Sequence, residues 1–396
     1  MRGPLDGVKV LSFGRMLAGP FATMLLSDLG AEVIKLEAPG LGDLARFAKP
    51  NVADKVSSYF LSVNRGKKSI TLDLKKERGK ELVLELVKQA DILLENFRPG
   101  VMERLGLSYE TIQQHNPRIV YGSISGFGQQ GPYSQRPAFD MIAQGMGGVV
   151  SITGEPGQQP SRVGYSIGDM GASLFGALAI LAALHERDKS GQGQWIDISM
   201  LDAQVALAEN ACARYFATGE IPQPYGSRHP LFTPFQAFPA KDGHVVVITQ
   251  RPKDWENFCR VAGKEEWIED EKYRDMDSRL ANYDSFLSDM NELMQTKSVK
   301  EWMVLFDENN IMAGPVNNIE QVVNDPHIQQ REMFVDVEHS RTGSLKVVGT
   351  PMKFSRTPCR IEKASPELGE HNQEVFSGWL NLSEEEIAGL REEGVI

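Results

Sequence analysis

Asp169 is the side chain in this sequence best placed to act as a covalent nucleophile. It stands in Gly168-Asp169-Met170-Gly171, ahead of a long apolar run that reaches Leu184. An aspartate at a helix start ordinarily caps it, because its carboxylate accepts the free amides of the first turn, so N-cap is the plain reading. Two features favour chemistry instead. Residues 169–187 are apolar on nearly all sides, which predicts a helix buried in the core with its start inside the structure. Gly168 and Gly171 let a bulky ligand approach the backbone closely. The helix dipole is expected to keep the carboxylate ionised, and an ionised carboxylate can attack a carbonyl carbon and carry an acyl group.

A second cluster runs from Glu95 to Arg104, just past a short apolar strand, Ile92–Glu95. Ligands of open α/β sheets bind at such carboxyl ends. Arg98 and Arg104 suit phosphates, and Phe97 suits a purine face. Other signatures fail. Gly14–Pro20 is not G-x-G-x-x-G, and Pro20 removes an amide that a pyrophosphate would use. Arg65-Gly66-Lys67-Lys68-Ser69 lacks the earlier P-loop glycine and precedes a strand. Gly122-Ser123-Ile124-Ser125-Gly126 puts Ile124 where a nucleophile elbow needs serine. The seven histidines show no ligand spacing, so no metal site is expected.

The elements that must position these residues follow from periodicity. Strands are predicted at 8–13, 31–36, 69–74, 92–95, 118–123 and 195–199. Helices are predicted at 21–29, with Pro20 as the opening residue, at 77–90 and at 109–115. Strands separated by helices imply a parallel sheet with right-handed crossovers. A more helical part follows: a strand at 244–249, then helices at 254–262 and 298–307, the last with a Ser298/Glu301 capping-box spacing. Residues 217–235 read as a linker, 320–358 as extended connection, and Ser383/Glu386 as the cap of a final short helix.

With 396 residues, 41% hydrophobic and 24% charged, the chain is long enough for two or three globular domains. Its formal net charge of −11 disfavours nonspecific nucleic-acid binding. Three scattered cysteines without Cys-x-x-Cys fit a reducing compartment. The N-terminus has no apolar core of a signal peptide, and the run Met170–Leu184 is shorter than a bilayer span. The expectation is a cytoplasmic protein with no nucleic-acid or membrane partner.

Long ordered motifs then resemble the class III coenzyme A transferases, the family of formyl-CoA transferase and the carnitine CoA-transferases. They are LAGPFATMLLSDLGAEVIKLE, NRGKKSITLDL, ENFRPGVMERLGL, YGSISGFGQQGPY, FDMIAQGMGG, GDMGASLFGALAILAALHER, GQGQWIDISMLDA and SPELGEHN. The resemblance implies an α/β fold: a large Rossmann-like domain with an open parallel sheet, a smaller α+β domain, and two interlocked subunits in a homodimer. It assigns 1–200 to the large domain, 201–225 to a linker, 226–325 to the small domain, 326–350 to a second linker and 351–396 to a return.

The same resemblance makes Asp169 the nucleophile. It places CoA contacts at the Met16 backbone, Leu72, Asn96, Phe97 and Arg104, with Asp140 in support. A CoA-binding lysine of some members is unmatched, and Lys67 or Arg136 would replace it. The implied activity moves CoA between small carboxylic acids through an aspartyl anhydride and an aspartyl-CoA thioester. Amides around Gly168–Gly171 are the expected oxyanion donors, and no cofactor is expected beyond CoA as substrate. Against the oxalate branch, Leu17 replaces a glutamine and Ala48 a tryptophan, while Tyr59 is kept. The alternatives are an α-methylacyl-CoA racemase-like isomerase, in which a histidine would stand where Phe139 is, and a noncatalytic CoA-binding protein.

Overall fold

The computed structural model describes residues 3–396, divided between two units. Residues 3–149, 163–218 and 326–396 form the first; residues 150–162 and 219–325 form the second.

The first unit is built on six parallel strands: β1 (Lys9–Ser12), β2 (Glu32–Glu37), β3 (Lys68–Thr71), β4 (Ile92–Glu95), β5 (Val120–Ser125) and β6 (Trp195–Ser199). Their spatial order is β3-β2-β1-β4-β5-β6, with Leu11 opposite Ile34 and Leu93. Every residue of β4 and β5 is buried, as strands covered on both faces must be. Successive residues point to opposite faces and divide the core in two. Leu11, Ile34, Leu93 and Tyr121 pack against α3 (Glu77–Val87) and the C-terminal α11 (Asn372–Leu380). Val10, Val33, Ile92 and Val120 pack against α1 (Ala18–Asp28) and α5 (Ile167–Ser190).

Between β2 and β3 lies α2 (Ser58–Asn64), whose Ser57 hydroxyl accepts the Phe60 amide. Asp140–Met146 is α4, and β6 runs into α6 (Met200–Leu207) and α7 (Glu209–Thr218). Residues 201–218, expected within a linker, are therefore helical. The C-terminal segment completes the first unit through Asn372, whose side chain accepts the Thr71 amide at 2.8 Å and donates to the Thr71 hydroxyl at 2.8 Å.

The long helix departs from expectation in two ways. It covers 24 residues, enough by length and composition to cross a bilayer, with half of its apolar window packed inside the chain. It is not buried on all sides: Leu174 and Leu178, one turn apart, are exposed.

In the second unit β7 (Phe235–Ala240), β8 (Gly243–Ile248) and β9 (Met312–Pro315) form an antiparallel sheet. Three of its helices, α8 (Pro252–Ala262), α9 (Tyr283–Met294) and α10 (Val299–Glu308), close an aromatic core of Trp255, Phe258, Phe286, Trp302 and Phe306. Ser298 caps α10 as its spacing with Glu301 requires. This unit extends to 219 and includes 150–162, beyond the 226–325 read from sequence. Residues 326–350, read as a second linker, fold within the first unit and contain a hairpin, β10 (Phe334–His339) with β11 (Gly343–Val348).

Candidate active site

A cavity of about 390 Å³ opens in the first unit at the carboxyl ends of β1, β4 and β5. The chain leaves β1 toward β2 on one side, while β4 lies on the other, so the crevice sits where strand order reverses. Two loops form one wall, Arg15–Ala18 after β1 and Asn96–Pro99 after β4. Asn96 ties them together. Its side-chain oxygen accepts the Arg15 amide at 2.7 Å, and its nitrogen donates to the Arg15 carbonyl at 3.0 Å. The loops can close this tightly because Gly19 has no side chain; a Cβ there would lie 2.9 Å from the Gly14 Cα and 3.0 Å from Asn96 Oδ1.

Met16 takes a left-handed conformation, with φ of 59°. Its amide donates to Asp43 Oδ1 at 3.0 Å, and Asp43 Oδ2 accepts from the Lys35 ammonium at 2.8 Å. Both side chains of that pair are buried. Burial opposes the charge on Asp43, yet Lys35 and the amides of Ala45 and Met16 hold its carboxyl below its ordinary range. Lys35 also donates to the Gly14 carbonyl at 2.6 Å, so one buried pair braces the loop at both ends. At β4, Glu95 accepts the Phe97 amide at 2.7 Å; burial pushes its carboxyl up to about 7 against that bond and the Ser123 hydroxyl. Phe97 has the Arg15 guanidinium 4.9 Å from its ring centroid.

Asp169 and Asp140 stand in the opposite wall. Ser166, not Asp169, is the N-cap of α5, and Asp169 lies in the first turn. Asp140 takes the first-turn amides: its Oδ1 accepts Gly168 N at 2.8 Å and Asp169 N at 3.4 Å, while Oδ2 accepts Gln144 Nε2 at 2.7 Å. The Met170 amide goes to the Ser166 carbonyl. Of the amides expected to serve an oxyanion around Gly168–Gly171, the first three are thus already engaged. Burial, and then the charge of Asp140, push the Asp169 carboxyl up to about 7. The dipole does not hold it far below neutrality as expected. Tyr59, from the first turn of α2, also lines the cavity; burial and then the Asp169 charge raise its phenol to about 12, so it remains a donor.

The structure therefore brings Met16, Leu17, Tyr59, Asn96, Phe97, Arg98, Asp140 and Asp169 to one cavity, with Arg136 and Phe139. It does not bring the others to this wall. The Leu72 side chain is in the core beneath the sheet end. Ala48 ends the short helical turn Leu44–Phe47, and Arg104 is exposed at the end of Val101–Arg104. Lys67 is enclosed, donating to the carbonyls of Pro20 and Val63 and to Asn64 Oδ1, and is not available to a ligand. Arg15 and Ser125 line the cavity and were not singled out from the sequence. Ser125 ends β5 and Arg15 stands three residues past β1, so the carboxyl end of a strand is the signal that marks them. Among the described residues no group of three His, Cys, Asp or Glu is arranged to hold a metal.

A family model described as CoA-transferase family III matches residues 5–372. The chain is 39% identical over 383 residues to a succinyl-CoA:mesaconate CoA-transferase of Haloarcula hispanica, covering 94% of this chain and 96% of that one. It is 38% identical over 371 residues to an acetyl-CoA:oxalate CoA-transferase of Acetobacter aceti, covering 93% and 94%. A solved CAIB/BAIF family protein from Brucella suis superposes with a TM-score of 0.88 at 34% identity, over 96% of this chain and 100% of that one.

Proposed function

Because the chain belongs to CoA-transferase family III and is therefore a CoA-transferase, we propose that it moves CoA between small carboxylic acids, dicarboxylates foremost, on Asp169. One observation carries this reading. A half-buried carboxylate with a near-neutral pKa shares a cavity with loops shaped at the switch point of a Rossmann-like sheet. Both relatives above are named for transfer to a dicarboxylate.

In the proposed cycle an Asp169 oxygen attacks the thioester carbonyl. The carbon–sulfur bond breaks, giving an aspartyl anhydride and CoA thiolate. The thiolate attacks the aspartyl carbonyl and expels the donor carboxylate, leaving an aspartyl-CoA thioester. The acceptor carboxylate attacks that thioester, and the thiolate it frees attacks the acyl carbon of the new anhydride to release product and Asp169. Charge develops on carbonyl oxygens in each step and needs fixed donors. Since Asp140 and Ser166 hold the amides of α5, the donors we assign are the first amides of α1, at Ala18 and Gly19. These have no intrahelical acceptor, and Ala18 lines the cavity. Asp140 keeps the Asp169 turn in place. Phe139, exposed beside it, cannot carry the proton a racemase would need.

We extend the proposal to an interlocked homodimer in the cytoplasm. Leu174, Phe175 and Leu178 of α5, Val205 of α6 and Phe216 of α7 are exposed, an apolar surface of the kind a second subunit covers. The cysteines are all free, in keeping with a reducing compartment. The test of the chemistry is incubation with acyl-CoA alone. A hydroxylamine-sensitive adduct on Asp169 is expected; rapid α-deuteration from solvent without any adduct would instead assign the isomerase reaction.

A further inference from the structure

We propose that Ser125 and Arg136 form a corner of the cavity that receives the second carboxylate of a dicarboxylic acid; this rests on the CoA-transferase reading above. Ser125 is the last residue of β5, is 6% exposed, and has a buried hydroxyl with no hydrogen-bond partner. A buried hydroxyl normally finds an acceptor, and an unmet one is costly. Ser125 also lines the cavity that holds Asp169, and the acceptor proposed for its hydroxyl is a bound acid.

Arg136 is the matching cation. It too lines the cavity, and it forms no ion pair with any described carboxylate. Aromatic rings hold its guanidinium, which lies 4.8 Å from the Tyr133 centroid and 5.7 Å from that of Phe127. The strand end and the Arg136 segment are in contact: a Cβ on Gly126 would fall 2.3 Å from the Ala138 Cβ. Phe127, two residues after Ser125, has the Arg136 guanidinium against its ring, which ties Arg136 to the strand end. A planar guanidinium fork with an adjacent hydroxyl suits a carboxylate's two oxygens. The corner joins the nucleophile's wall, since Asp140, four residues after Arg136, holds the Asp169 turn. The phosphates of CoA have other cations, Arg15 and Arg98, on the loops beside Phe97.

The experiment compares acceptor kcat/KM for succinate and glutarate with butyrate and valerate, using wild type, Ser125→Ala, Arg136→Met and Arg136→Lys. In ping-pong kinetics this constant reports the acceptor half-reaction alone. The dicarboxylate-to-monocarboxylate ratio should fall about 10- to 100-fold in Arg136→Met, as expected for a lost charged hydrogen bond. It should fall about 3- to 10-fold in Ser125→Ala, as for a neutral one, and recover in part in Arg136→Lys. An unchanged ratio in a wild-type-like, dicarboxylate-preferring background overturns the corner alone. Equal loss on both acid classes with a raised KM for acyl-CoA assigns Arg136 to CoA and likewise overturns it. A wild type that prefers monoacids overturns the substrate reading and the corner together.

Discussion

The Asp140 carboxylate stands between the backbone of Asp169 and the charge that Asp169 must carry. Its Oδ1 accepts the amides of Gly168 and Asp169 at 2.8 and 3.4 Å, taking donors that the nucleophile would otherwise have within its own turn. Its negative charge adds to burial in raising the Asp169 carboxyl to about 7. Asp140→Asn keeps an acceptor but removes the charge. The acid limb of kcat/KM for acyl-CoA should therefore move to lower pH while staying above the ordinary carboxylate range, because burial is the larger cause. An unmoved limb would show that Asp140 does not tune the nucleophile.

Asp169→Asn should abolish turnover while leaving CoA binding measurable by calorimetry, since the change removes the nucleophile with little change in volume. It also carries a stability signature. The folded state raises this carboxyl from 3.8 to about 7, so the stability present below pH 4 declines as pH rises through 7. The variant should match wild type near pH 4 and melt about 1–3 °C higher at pH 8. A variant less stable at pH 8 than at pH 4, relative to wild type, would contradict the raised pKa.

Gly168→Ala tests the same junction sterically. The added methyl would lie 2.9 Å from Asp140 Oδ1 and 3.0 Å from the Asp140 carbonyl oxygen, so Asp140 must shift. Overpacking of this kind typically costs about 1–3 kcal/mol. A fall in kcat of about tenfold or more is expected, since a displaced catalytic turn loses alignment. Wild-type kcat in this variant would show that the Asp140 bond does not set the geometry of the turn.

Acceptor choice should turn on Leu17, which lines the cavity, rather than on Ala48, which does not. An apolar Leu17 offers no bond to a compact dianion, whereas polar sites reject unsuitable analogues strongly. Succinate, glutarate and itaconate should outperform oxalate in kcat/KM, and Leu17→Gln should improve oxalate relative to succinate. Oxalate preferred by wild type over all three would remove Leu17 from the account.

Interlocked subunits would separate only with partial unfolding, so a dimer should persist on dilution. Sedimentation at nanomolar concentration should give a single species of twice the 43.9 kDa chain mass. A well-folded monomer there would exclude interlocking, and would leave the exposed Leu174, Phe175 and Leu178 without a cover.

What the chain encodes locally was open to reading from residues alone. Ile92–Glu95, Tyr109–His115 and Trp195–Ser199 have the bounds that their apolar pattern implies. Ser298 and Ser383 cap their helices through reciprocal bonds three residues apart. Asp169 and the Asn96–Arg98 loop were legible because a helix start and a strand end carry their own signals. Ser58–Asn64 and the hairpin of Phe334–Val348 were not read, since each takes shape from neighbours distant in the chain. The inner workings of the site belong to the same class. Asn96 is spent on the Arg15 backbone 81 residues away, and Asp140 on amides 28 and 29 residues away. Lys67, basic and beside a strand, turns out to be sealed by three oxygens. Residue types and short spacings determine which groups are present and which helices and strands begin where. Which donor meets which acceptor, which carboxylate is left unpaired and which cation remains free are decided by packing between segments that only the folded chain brings together.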